Sequence, residues 1–163
     1  MKAFFYEIGR WAAVAAVIFI IATAAGGSSA VSSANPQDVL EAVCQSADMT
    51  NMQPAPNQTV KRFYGIDPSE YEFCALYYPK TNMDVDELLL VRLTDSSQEQ
   101  SLREAVQSRL DAQKNVFESY GVGQMELLTN HSAYRSDSGF AFFIINQNAD
   151  KAQAAFTDAV RGK

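Results

Sequence analysis

An uncharged apolar segment near the N-terminus is the strongest constraint on how this 163-residue chain can fold. Residues 11–27 read WAAVAAVIFIIATAAGG, and the basic residues Lys2 and Arg10 precede them. Serine and alanine dominate residues 28–34, which follow. A basic start, an apolar middle and a small-residue end are typical of an export signal. We therefore expect the remainder of the chain to lie outside the cytoplasm.

The length of the apolar segment is compatible with a membrane anchor and with a cleaved signal. A helix of its 17 residues would be roughly 26 Å long, slightly short of the ~30 Å hydrocarbon core. A cleaved signal usually has an apolar stretch of roughly 7–15 residues, yet Ala30 and Ala34 each end a Ser-Ser-Ala sequence suited to signal peptidase. We favour a single-pass anchor in residues 1–27, with secretion after cleavage as the alternative. A buried core helix is less consistent with a segment that is apolar all round.

The exported part of the chain is acidic. Two of the 13 basic residues and one of the 19 acidic residues precede Val31. The 11 basic and 18 acidic residues that remain give a net charge of −7 from Val31 onward. Such a domain repels phosphate groups, so neither nucleic acid nor an anionic lipid surface is an expected partner of the domain. The expected partners are the membrane, through residues 11–27, and an envelope protein or a small ligand.

Apolar spacing in the first half of the domain predicts a helix and a β-hairpin. Asn35-Pro36 supplies an N-cap and a first-turn proline. Residues 48–58 contain two prolines and no periodicity, which predicts a loop, and residues 59–64 are a candidate helical turn. Residues 71–78 and 85–93 then predict two strands joined by a short turn.

The second half predicts a long helix, two strands and a final helix. Ser96 to Glu99 match a capping box, and the helix that follows should run to Tyr120, with Gly121 in the left-handed conformation. Residues 125–129 predict a short strand, residues 131–135 are less regular, and residues 140–146 predict a strand buried on both faces. Asn148 is placed to cap the last helix.

These elements predict a single α+β domain over residues 35–163. Their order is α, β-β-α, β-β-α. The natural architecture is a mainly antiparallel sheet of about four strands with the helices packed on it, preceded by the N-terminal apolar segment.

Four segments of the domain read YGIDPSEYEFCALYYP, VDELLLVRL, RLDAQKNVFESYG and GFAFFIINQNADKAQAAF. Together they resemble the bacterial domain-of-unknown-function family 4358, and the resemblance extends over roughly residues 36–160. It implies an exported domain, often a lipoprotein of Gram-positive bacteria. This chain departs from that pattern because no cysteine follows the apolar segment closely, which puts lipid attachment in doubt. The family carries no established activity, so no catalytic residue follows from the resemblance.

Motifs that carry chemistry are missing from the sequence. Neither Gly-x-Ser-x-Gly nor Ser-x-x-Lys occurs. His131 is the single histidine, and two cysteines 30 residues apart do not complete a zinc site with it. The acid cluster of Asp84, Asp86 and Glu87 lacks the glycine and the later glutamate of an EF-hand, so we interpret it as a solvated strand start. We assign no catalytic, metal or cofactor residue.

Two pairs of residues are candidates for structural contacts. Glu87 shares the inward strand parity of Leu89, and Arg109 lies beside the inner stripe of the long helix, so an ion pair between Glu87 and Arg109 is predicted. Outside the cytoplasm, Cys44 and Cys74 could form a disulfide. The simpler interpretation is that both are small buried apolar residues, and the sequence does not show whether their α-carbons lie close enough for a disulfide.

Aromatic residues are concentrated in the predicted sheet. Core packing is the simplest explanation, but apolar residues at both strand parities could leave part of one face as a docking surface. Export, acidity and the missing catalytic motifs together predict a non-enzymatic binding or interaction module at the envelope. An envelope enzyme acting on cell-wall or lipid substrates is the alternative. The candidate ligand or partner surface comprises Tyr71, Leu76, Tyr78 and Tyr134.

The export signal predicts the topology of the full chain. Protease added to intact spheroplasts should remove a C-terminal tag, because the domain that carries the tag lies outside the membrane. A cytoplasmic protein serves as the control for spheroplast integrity. Export would be refuted by a tag that stays protected on a chain recovered in the cytosol.

Overall fold

The computed structural model describes residues 31–163. The predicted apolar anchor in residues 1–27 and the start of the linker therefore lie outside the described residues. Within the described part, five strands form one antiparallel sheet and five α-helices cover it. No helix in residues 31–163 is long and apolar enough to cross a membrane.

The strands follow the spatial order β1-β2-β3-β5-β4, and every neighbouring pair is antiparallel. A short 3₁₀ turn, Pro68–Glu70, precedes β2. The strands are β1 Met52–Pro54, β2 Phe73–Pro79, β3 Glu87–Arg92, β4 Ser132–Asp137 and β5 Phe140–Ile145. The helices are α1 Pro36–Ser46, α2 Asn57–Tyr64, α3 Gln98–Phe117, α4 Val122–Asn130 and α5 Ala149–Val160.

Helices lie on both faces of the sheet, which gives three layers. We call the side covered by α2, α3 and α4 the long-helix face, where Leu102 and Phe117 pack over Leu89 and Phe143. We call the side covered by α1 and α5 the paired-helix face, where the ring of Phe156 stacks on Phe142 with centroids 5.0 Å apart. Every residue of β3 and β5 is buried, because both sides of these central strands are covered.

The α+β class and the mainly antiparallel sheet are confirmed, whereas the number of strands is five instead of four. The additional strand is β1, which lies in the proline-containing segment predicted as a loop. It is three residues long and pairs at the sheet edge, Met52 opposite Pro79, so it is too short to show any periodicity.

The prediction of a strand at residues 125–129 is wrong, since these residues belong to α4. Met125, Glu126 and Leu127 are all good helix formers, and a helix places Leu128 in the core while its neighbours stay more exposed. Strand β4 begins after this helix, at Ser132. A turn formed by Ser138 and Gly139, both with positive φ, joins β4 to β5.

The predicted ends of α3 also differ from the structure. Ser97 is the N-cap residue and its side chain makes no capping hydrogen bond, while the Asp95 side chain accepts from the Ser97 backbone N–H at 2.7 Å just before the helix; the predicted capping box therefore does not form. Gly121 has φ −103° and is not left-handed. A Cβ at Gly121 would lie 2.7 Å from the Phe117 ring, so glycine is needed there for close packing.

The two cysteines are free thiols and lie on opposite sides of the sheet. Cys44 on α1 packs on the paired-helix face, and Cys74 on β2 packs on the long-helix face. The sheet therefore separates them, and the disulfide considered from the sequence does not form. Burial raises the pKa of the Cys74 thiol to about 12, so it stays protonated near neutral pH.

Because no cross-link contributes, a fragment of residues 31–163 carrying Cys44→Ala and Cys74→Ala should unfold in one cooperative transition, with or without chelator. Each trimmed, partly buried side chain should cost about 0.5–3 kcal/mol, which lowers the melting temperature without changing the shape of the transition. Calorimetry of the double variant, with the wild-type fragment under reducing conditions as the control, measures this. An unfolded double variant beside a folded reduced wild type would contradict the prediction.

Candidate functional site

A buried carboxylate accepts hydrogen bonds from three side chains at one end of the sheet. Glu87 is the first residue of β3 and is completely buried. Arg109 donates from Nε to Oε1 at 3.1 Å and from Nη2 to Oε2 at 2.6 Å. Gln113 Nε2 donates to Oε2 at 3.2 Å, and the Tyr64 hydroxyl donates to Oε1. The residues that the sequence suggested as an ion pair, Glu87 and Arg109, are thus in bidentate contact.

Local structure explains how these four side chains converge. The strand parity of Glu87 is that of Leu89, so its side chain points to the long-helix face. Arg109 and Gln113 are four residues apart on α3 and therefore share one helix face above it. Tyr64 is the last residue of α2, and the left-handed conformation of Gly65 (φ +68°) ends the helix there.

Tyr64 and Arg109 each keep one protonation state near neutral pH. Burial and the adjacent Glu87 carboxylate raise the pKa of Tyr64 well above its usual value, so Tyr64 stays a neutral donor. Burial is the largest single influence on the pKa of Arg109 and lowers it, but the hydrogen bonds to Glu87 and the nearby charge of Glu87 together outweigh burial and raise this pKa. The tyrosine and the arginine are therefore suited to holding a fixed geometry, and neither is suited to proton transfer.

An open cleft of ≈ 420 Å³ lies over this network, and we call it the Phe63 cleft. The Phe63 and Tyr78 rings form an edge-to-face pair with centroids 6.0 Å apart and an interplanar angle of 78°. The guanidinium carbon of Arg109 lies 3.9 Å from the Phe63 centroid, and that of Arg62 lies 4.9 Å from it. Val116 is 54% exposed and adds apolar surface to the same cleft. The Phe63 cleft therefore combines aromatic walls with two guanidinium groups.

A second cavity of ≈ 320 Å³ lies beside the Phe63 cleft and shares Asp84 with it. Its lining includes Asp86 and Glu126. Burial raises the pKa of Asp86, whose carboxylate accepts from the Asn146 amide at 2.9 Å. Within residues 31–163, no group of three or more His, Cys, Asp or Glu residues is arranged to hold a metal ion.

The aromatic surface suggested by the sequence does not form one continuous patch. Tyr78 lines the Phe63 cleft. Leu76 is only 2% exposed, so its inclusion was wrong; both strand parities are apolar because helices cover both faces. Tyr134 packs against the long-helix core beneath Arg103, and burial raises its pKa to about 12. Tyr71 is half-buried against the same core.

Sequence reasoning missed the contributions of Arg62, Phe63 and Tyr64 to the site. All three lie at the end of a helix that the sequence indicated only as a turn. The signal that could have found part of the site is Gln113, a polar residue on the inner, otherwise apolar stripe of α3. A buried polar side chain requires a partner, and here the partner is Glu87.

The comparisons with known proteins identify a family and no activity. The model of the family described as "Domain of unknown function (DUF4358)" matches residues 45–146. The chain belongs to this family. The matched region contains Glu87, Arg109 and the residues of the Phe63 cleft. No curated protein and no solved structure matches the chain.

The burial of Glu87 predicts strong coupling with Arg109. Arg109→Met should destabilise the fold by about 3–5 kcal/mol, because it leaves a buried carboxylate without a counter-charge. The double variant Glu87→Gln, Arg109→Met should be more stable than Arg109→Met alone, since no uncompensated charge remains. Chemical denaturation of the wild type, both single variants and the double variant measures the coupling energy.

The exposed ion pair Lys61–Asp67 is the matched control. Two single variants and one double variant of this pair, measured in the same way, should give a much smaller coupling energy. Strict additivity of the Glu87 and Arg109 substitutions would contradict the prediction.

Proposed function

We propose that the protein is an exported, membrane-tethered, non-enzymatic binding module of the cell envelope, and that the Phe63 cleft is its ligand site. The observation that carries this proposal is the cleft itself, an open cavity with aromatic walls above the hydrogen-bonded side chains of Glu87, Arg109 and Gln113. Its volume falls within the range of roughly 300–1,000 Å³ that is usual for small-molecule sites.

The Phe63 cleft lies far from Ser32, where the described chain enters the domain, and this separation is compatible with a tether that precedes Ser32. The Ser32 backbone N–H donates to the Ser138 carbonyl at 2.9 Å, and Arg92 Nη2 donates to the Ser32 carbonyl at 2.7 Å. The chain therefore joins the domain at the Arg92 end of β3. Glu87 and the cleft lie at the other end of this strand, roughly 17 Å away at ~3.3 Å per residue. A domain attached through residues 11–27 would present its cleft away from the membrane.

The chemistry of the cleft supports binding over catalysis. Tyr64 and Arg109 keep single protonation states near neutral pH, as described above. Burial raises the pKa of Cys44 and Cys74, so neither is an activated nucleophile. The alternative of an envelope enzyme has no comparable support within residues 31–163.

A cleft-filling substitution tests the proposal. The low-molecular-mass fraction of an envelope extract should raise the melting temperature of the full chain in nanodiscs, because a ligand that binds only the folded state stabilises it. Ala112 is exposed on α3 and lines the cleft, so Ala112→Trp should abolish the shift.

Ala154→Trp, at an exposed position of α5 outside the cleft, is the matched control and should keep the full shift. The proposal fails if the extract has no effect on the wild type, or if both tryptophan variants respond like the wild type.

A further inference from the structure

Arg62 differs from the other arginines in the described part of the chain. Of the six arginines in residues 31–163, five lie within 4.0 Å of a carboxylate, and Arg62 does not. Its guanidinium is nevertheless positioned, since it lies over the Phe63 ring at the cleft. An exposed guanidinium that lies over an aromatic ring and has no counter-ion within residues 31–163, in a domain of net charge −7, is suited to an anion from outside the protein.

Arg109 offers a second donor to the same cleft. Its Nε and Nη2 donate to Glu87, whereas its Nη1 donates to no group within residues 31–163. Nη1 is not fully buried, and Arg109 lines the cleft. The bond to Glu87 fixes the guanidinium plane, so Nη1 is a preorganised donor with no rotamer freedom left to lose.

The rest of the lining favours an apolar body. Phe63, Tyr78 and Val116 present aromatic and aliphatic surface beside the two guanidinium groups. The one carboxylate in the lining is that of Asp84, which accepts from the Thr81 hydroxyl at 2.8 Å. Asp84 should therefore weaken anion binding through repulsion, in opposition to Arg62.

We propose that the Phe63 cleft binds a small organic anion, with its carboxylate or phosphate group on Arg62 and Arg109 Nη1 and its apolar body against Phe63, Tyr78 and Val116. This inference rests on the proposed function, in which the cleft is the ligand site. Because the cleft lies at the end of the sheet opposite Ser32, we expect a soluble or wall-borne ligand and not a lipid of the tethering membrane.

Matched probes test the ligand class on the full chain in nanodiscs. Phenyl phosphate and phenylacetate should bind at least about tenfold more tightly than benzyl alcohol and benzylamine, because only the anions form charge-assisted hydrogen bonds with both arginines. Inorganic phosphate, which lacks the apolar body, should bind more weakly than phenyl phosphate. Ligand-observed NMR, with empty nanodiscs as the blank, gives each dissociation constant, and the two anionic probes distinguish a phosphate from a carboxylate preference.

Charge variants locate the binding. Arg62→Gln should weaken phenyl phosphate binding by about tenfold, and Asp84→Asn should strengthen it. Lys151→Gln removes one positive charge from the exposed surface of α5 and should leave binding unchanged. Phe63→Leu keeps both guanidinium groups but removes the ring beneath them, and should also weaken binding. Thermal melts of each variant verify folding.

Three results would overturn the inference. Equal binding of the anionic and neutral probes, or binding of none, would refute the anion class. If Arg62→Gln and Lys151→Gln weakened phenyl phosphate binding equally, the affinity would depend on the net charge of the domain and not on Arg62 in the cleft. If inorganic phosphate bound as tightly as phenyl phosphate, the proposed contact of an apolar body with the cleft would be refuted. In each case the proposed function would still hold if the envelope extract raised the melting temperature of the wild type and Ala112→Trp abolished that rise.

Discussion

Burial of the two central strands from both sides is the constraint on which the rest of this structure depends. β3 and β5 pair along their whole length, with Leu89 opposite Phe143 and Leu90 opposite Phe142. Side chains of one parity enter the long-helix core and those of the other enter the paired-helix core. Strands that are apolar on both faces require a helical layer on each side, because a single layer would leave a large apolar face in water.

This double coverage also determines the chemistry at the end of the sheet. Glu87 begins a strand that is buried on both sides, so its carboxylate cannot reach water and must find donors within the protein. Arg109, Gln113 and Tyr64 provide them from two helices. These bonds connect α2 and α3 over the start of β3, and residues of both helices line the Phe63 cleft together with the end of β2 and the turn that follows it. The side chains that satisfy the buried charge therefore lie directly beside the cleft.

A second buried polar group stabilises the same end of the molecule. Asn146 follows β5 and is completely buried. Its amide donates to the carbonyl of Asp48 and to the carboxylate of Asp86, and its side-chain oxygen accepts from the backbone N–H groups of Asp48 and Asn148. One side chain thus joins the loop after α1, the start of β3 and the start of α5. Asp86 lines the cavity beside the Phe63 cleft, so these bonds fix the segment that leads into β3 next to the cleft.

By itself, the sequence determined the elements whose patterns are long and local: the buried strand around Phe142, the long helix after Ser97, and the inward parity that paired Glu87 with Arg109. It did not determine β1 or α4, because three residues at a sheet edge carry no period and because the apolar run at Met125–Leu128 is too short to show a helical period, although its residues favour a helix. Tertiary structure alone decided that the sheet separates Cys44 from Cys74 and that Arg62 meets Arg109 at one phenylalanine ring. Such contacts join residues distant in sequence, and they depend on how layers stack, which no local pattern of residues records.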